Sequence, residues 1–148
     1  MATFVINEWL PEDCSGANGL TRQQEALRVI TMLASSEHRI IVLAGSPFEQ
    51  KFFNLCRRTE ISIRGISRLY HLELRQNLDR CTTLRSEQAA ALPDTLAEAT
   101  KPDDHYLLGT QLAVPGAILV STDGPLRAAA SQHGLPCLSR EDFLGTYL

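Results

Sequence analysis

The sequence predicts a single α/β domain of three layers, with a mostly parallel, doubly wound sheet and helices on both faces. Three observations predict it. The chain has 148 residues, the usual size of one domain with one core. Short β-branched apolar runs alternate with segments of helical period, an order that favours parallel strands joined by right-handed crossovers. Gly, Pro or a capping residue marks most of the junctions.

Thr3 to Trp9 begins as an apolar strand, and Pro11 with Asp-Cys-Ser-Gly-Ala-Asn-Gly then reads as a loop. Thr21-Arg22-Gln23-Gln24 fits a capping box, followed by Ala26, Leu27, Ile30, Leu33 and Ala34 at helical spacing. Arg39 to Ala44 is a second strand, ended by Gly45. Ser46-Pro47-Phe48-Glu49 supplies an N-cap, a proline at the first helical position and an acid at the third.

Ile66, Leu69, Tyr70, Glu73 and Leu74 suggest a helix, and Ser86 to Ala99 another, broken near Pro93. Asp103 and Asp104 open a helix through Leu107, Leu108 and Leu112, where the dipole favours acids. Ala117 to Ser121 reads as a buried strand, Leu126 to His133 as a helix, Leu135 to Leu138 as a short strand, and Ser139 as the cap of a final helix.

Composition narrows the function classes. No stretch approaches the roughly 20 apolar residues needed to span a bilayer, and the start has no basic run or cleavage site. The expectation is a cytoplasmic protein with no membrane partner. Cys14, Cys56, Cys81 and Cys137 are scattered without a Cys-x-x-Cys pair, so a zinc site or redox dithiol has no support from spacing. No Gly-x-Gly-x-x-Gly or Gly-Lys-Ser/Thr pattern speaks for nucleotide binding.

The net charge is −3, which argues against general nucleic-acid coating. Its distribution is uneven. Arg57, Arg58, Arg64, Arg68, Arg75, Arg80 and Arg85 face only Glu60, Glu73 and Asp79 between 57 and 85, leaving that window at +4 and the remainder at −7. Arginine suits bidentate phosphate recognition, so Arg57, Arg58, Arg64 and Arg68 are candidate RNA contacts; a solvated helix face is the alternative.

In an open parallel sheet, ligands bind beyond the carboxyl ends of the strands. Asn7 and Glu8 close the first strand, Glu49 follows the second, Asp103 and Asp104 begin a helix, and Asp123 follows Ala117 to Ser121. Four segments can thus bring oxygen ligands of the kind hard divalent cations want to one edge. Each acid also has a structural reading: Glu49 as a cap, Asp103 and Asp104 as dipole partners, Asp123 as a turn or cap residue.

At these residues the chain resembles the PIN-domain nucleases. Ser-Pro-Phe-Glu-Gln-Lys-Phe around Glu49, Asp-Asp-His-Tyr-Leu-Leu from Asp103 and Val-Ser-Thr-Asp-Gly-Pro-Leu from Val120 look like three of that family's acidic elements, and residues 134 to 144 are similar to its terminal strand and helix. The resemblance implies a PIN-like fold and a metal-dependent ribonuclease in which Glu49, Asp104 and Asp123 hold Mg²⁺ or Mn²⁺. It extends to the toxin of a toxin-antitoxin pair, with RNA, an antitoxin-like protein and a second copy of the chain as partners. One element departs: Asn7 stands where the family has its first Asp, with Glu8 beside it to compensate. An amide ligand carries no charge, so the competing reading is a degenerate PIN-like module that binds RNA or protein without catalysis.

Overall fold

The structure is a computed structural model that describes residues 1–148. Five strands form one sheet: β1 (Thr3–Ile6), β2 (Arg39–Leu43), β3 (Cys81–Leu84), β4 (Ile118–Val120) and β5 (Cys137–Leu138). The sheet order is β3-β2-β1-β4-β5, and every pairing is parallel. The α/β class read from the sequence is therefore the observed one.

Alternation along the strands builds the three layers. Phe4, Ile6, Ile40, Val42 and Val120 enter one apolar cluster, with α1 (Trp9–Cys14), α2 (Leu20–Ser35), α3 (Pro47–Cys56), α4 (Ile61–Leu69) and α8 (Arg140–Tyr147). Val5, Ile41 and Leu119 enter the other, with α5 (Asp94–Ala99), α6 (His105–Ala113) and α7 (Gly124–Gln132). The chain moves outward from β1 to β3 under the first layer, then crosses under the second to β4. Its direction reverses between β1 and β4, the switch point beside which ligands bind in sheets of this kind.

Several element boundaries differ from the sequence reading, each for a physical reason. The first strand stops at Ile6, because Trp9 starts α1 and its indole Nε1 donates to the Val120 carbonyl at 3.1 Å. Pro11 lies in the first turn of that helix, where no amide donor is needed. The capping box at Thr21 does not form: α2 begins at Leu20 behind Gly19, whose φ of 100° turns the chain into the helix without a side-chain cap. β3 was not legible as a strand.

The predicted helix from Ser86 to Ala99 is a 3-10 turn at Ser86–Gln88, irregular chain to Pro93, and then α5. The helix around Ile66 to Leu74 starts earlier, at Ile61, and passes into a π-helical turn over Tyr70–Arg75. Tyr70 stacks on Phe52 there, with ring centroids 3.7 Å apart, and the turn carries Arg75 toward the start of α3. No helix is long and apolar enough to cross a membrane.

A buried ion cluster closes the fold. Arg140 donates to Asp13 at 2.9 Å and to Glu25 at 3.1 Å, and its guanidinium lies 5.4 Å from the centre of the Trp9 ring. It ties α8 to α1 and α2.

Candidate functional site

The switch point is built from the two segments that leave β1 and β4. The Asn7 amide N–H donates to the Val120 carbonyl at 2.9 Å, continuing the parallel ladder one residue past β1. Its side-chain Nδ2 donates to Ser121 Oγ at 2.9 Å, and Ser121 Oγ also accepts the Asp123 amide at 3.0 Å. Asn7 Oδ1 accepts the Glu8 amide at 2.6 Å. Asn7 thus fastens the two strand ends together, while its oxygen is engaged by the next residue.

Asp123 is the N-cap of α7, its Oδ1 accepting the Leu126 amide at 3.1 Å, with Pro125 in the first turn. The structural reading and the site reading of this residue coexist, because the second carboxylate oxygen is not used by the cap. Asp104 ends a 3-10 turn at Pro102–Asp104 and makes no side-chain cap to α6. α6 runs antiparallel to the β4 strand it feeds, so its start lies at the carboxyl edge.

Asp104 and Asp123 line one cleft of about 310 Å³, walled also by Glu98, Thr100, Lys101 and Pro125. Neither carboxylate forms a salt bridge. Burial, followed by the charges of Asp123 and Glu8, raises the Asp104 carboxyl above its usual 3.8, with Lys101 opposing. Asp123 and Glu8 are therefore both near enough to act on Asp104.

The other two predicted ligands sit differently. Glu8 accepts a hydrogen bond from the Tyr106 hydroxyl at 3.1 Å and pairs with Lys51 Nζ at 2.9 Å; Lys51 also binds Glu12. Burial pulls the Lys51 ammonium down, but the hydrogen bonds it donates to Glu12 and Glu8 outweigh that and leave its pKa above the ordinary value. Glu49 has a side chain only 7% exposed, and its Oε2 accepts from Arg75 Nε at 2.8 Å. Its other oxygen accepts the Gly45 amide at 3.4 Å, so the reciprocal half of the capping box with Ser46 is absent, although Ser46 Oγ accepts the Glu49 amide. No group of three or more His, Cys, Asp or Glu side chains is arranged to hold a metal ion.

The arginine window is dispersed. Arg75 belongs to Glu49, Arg58 to Glu60 and Arg85 to Glu87. Arg57 and Arg58 follow the far end of α3, roughly 12 Å along the helix axis from Glu49. Arg64 and Arg68 lie on the exposed face of α4. The cations nearest the Asp104–Asp123 cleft are instead Lys101, in its wall, and Arg127, whose Nη1 donates to the Ser121 carbonyl at 2.6 Å. Sequence reasoning missed Lys51, Lys101, Tyr106 and Arg127. Only Arg127, one turn after the Asp123 cap, carried a local signal.

No protein-family model matches the chain, and neither does a curated protein or a solved structure.

Proposed function

We propose that the chain is a Mg²⁺- or Mn²⁺-dependent ribonuclease of the PIN type, with Asp104 and Asp123 as the two carboxylates of the site. One observation carries this reading: two acids without ion pairs, from different segments, line one cleft between the starts of α6 and α7 together with Glu98, where burial and the charges of Asp123 and Glu8 already disfavour the charged form of Asp104. A fold keeps such an arrangement at a cost in stability, which a bound cation offsets.

Two carboxylates suit Mg²⁺, since this ion keeps several waters and takes one or two carboxylates together with substrate phosphates. Such an ion would supply a lowered pKa for attacking water and charge for the leaving oxygen. The residues supply position. Asn7 and Ser121 hold the ends of β1 and β4 at fixed spacing, the α7 cap orients Asp123, and Lys101 offers a cation to the phosphate backbone. The toxin role and an antitoxin-like partner belong to the same proposal and rest on the resemblance alone.

A degenerate RNA- or protein-binding module is the second reading, and the Glu49–Arg75 pair together with Asn7 favours it, because both remove charge from the edge. Cleavage of a single-stranded oligoribonucleotide in Mn²⁺ separates the two. The nuclease reading expects cleavage that falls at least about a hundredfold in Asp104→Asn and in Asp123→Asn. Equal rates in all three proteins would remove it.

A further inference from the structure

The face of α4 turned away from the sheet has properties that the acidic cleft does not explain. Gly65 sits in the middle of this helix, where glycine is unfavourable relative to alanine. Nothing inside the molecule requires it: its φ is not positive, and a Cβ added there would meet no atom within 4 Å. Two grooves, of about 640 and 350 Å³, flank the helix and meet at Gly65.

Exposed apolar side chains gather on the same face. Leu20 and Leu27 border the smaller groove, and Phe53, Ile61 and Leu72 the larger; these are five of the eight large apolar residues that the fold leaves exposed, with Ile61 at 88%. Single exposed apolar residues are ordinary, whereas a contiguous set around one helix marks a contact surface. Arg64 and Arg68 stand one turn apart in the larger groove, and neither has an acidic partner.

We propose that the α4 face is the docking surface for an amphipathic helix of a partner protein, one whose aliphatic stripe fills the two grooves and whose Asp or Glu side chains meet Arg64 and Arg68. The missing side chain at Gly65 lets the incoming backbone approach closely between the grooves. Charge selects this occupant. A second copy of the chain, related by a twofold axis at Gly65, would set Arg64 and Arg68 against their own counterparts. RNA would meet the arginines, but four of the five exposed apolar side chains, Leu20, Leu27, Ile61 and Leu72, are aliphatic, and the fifth, Phe53, has one ring face already stacked on His71 with centroids 5.3 Å apart, so the surface is poor in base-stacking platforms. The surface is independent of Asp104 and Asp123, so it stands whether or not the chain cleaves RNA.

The test is selection of a displayed library of helical peptides on the full-length protein, followed by affinity measurement on wild type, Gly65→Gln and the double variant Arg64→Glu/Arg68→Glu. Enriched peptides carry Leu or Ile at helical spacing with flanking Asp or Glu, and they bind the double variant at least tenfold more weakly. Gly65→Gln weakens them similarly while raising Tm, because glutamine favours the helix. The rise in Tm separates a blocked surface from a damaged fold. Bound peptide also slows alkylation of Cys56, an exposed thiol in the larger groove. Enrichment of basic peptides, or binding unchanged in Gly65→Gln, overturns the proposal. So does failure of any peptide to enrich while an oligoribonucleotide binds through Arg64 and Arg68. Concentration-dependent dimers that Gly65→Gln abolishes would overturn it in favour of a second copy.

Discussion

The acids along the carboxyl edge of the sheet stand under opposite conditions on its two sides. On the β2 side, Glu49 is buried against Arg75, and on the β1 loop Glu8 is held by Lys51 and Tyr106. On the β4 side, Asp104 and Asp123 share a cleft without an ion pair. An acid at a strand's carboxyl end is thus not a ligand by position alone. Cations from elsewhere in the fold reach Glu49 and Glu8, and none forms an ion pair with Asp104 or Asp123.

The largest effect comes from breaking the matched side. Arg75→Ala leaves a nearly buried carboxylate unpaired, and urea denaturation should record a loss of about 2 to 3 kcal/mol, below the full value for a buried pair because Arg75 is partly exposed. The double variant Arg75→Met/Glu49→Gln should recover most of it. If Arg75→Ala is neutral, the pair is ornamental and Glu49 becomes a free acid after all.

Freeing Glu8 sharpens the contrast from the other direction. Lys51→Met removes the ammonium that neutralises Glu8, next to the cleft acids. Its effect on stability should stay within about 1 kcal/mol, as for other half-exposed pairs. Mn²⁺ affinity should rise several-fold as a third carboxylate becomes available, measured by calorimetry. An unchanged affinity would separate Glu8 from the site.

The smallest effect concerns Asp104 itself. Its carboxyl titrates above 3.8 in the folded chain, so the folded state holds the proton more tightly than the unfolded one. Its contribution to stability is present at low pH and is lost as pH rises from 3.8 through the folded pKa. Asp104→Asn should therefore match wild type in acid and exceed it slightly at neutral pH without divalent ions, by a few tenths of a kcal/mol for a partly exposed group. Thermal melts across pH check the sign; a variant less stable at neutral pH would show that Asp104 makes a favourable contact.

The legible parts of the fold were those specified by adjacent residues. Ser46-Pro47 and Asp123-Gly124-Pro125 announced helix starts, and Arg39 to Leu43 and Ile118 to Val120 are dense enough in apolar residues to read as strands. β3 was hidden because it has only four residues, two of them Thr, and stands at the sheet edge with one residue fully buried. Gly19 replaced Thr21 as the start of α2 through a backbone angle that no spacing announces.

The site was half legible for the same reason. Asp104 and Asp123 could be placed at the carboxyl edge from the order of elements. The partners that engage the remaining acids could not, since Arg75 lies 26 residues from Glu49 and Tyr106 lies 98 from Glu8. Ser121, read as part of a strand, proved to be the hydroxyl that joins Asn7 to Asp123.

The most direct test of the contrast is calorimetric titration of Mn²⁺ into wild type, Asp104→Asn, Asp123→Asn and Arg75→Met/Glu49→Gln at neutral pH. Asparagine retains the α7 cap, so Asp123→Asn changes charge while keeping the fold. The account predicts saturable binding to wild type, its loss in both Asp→Asn variants and its retention when the Glu49–Arg75 pair is removed. Binding that survives in Asp104→Asn and Asp123→Asn, or that disappears with Glu49, would contradict it.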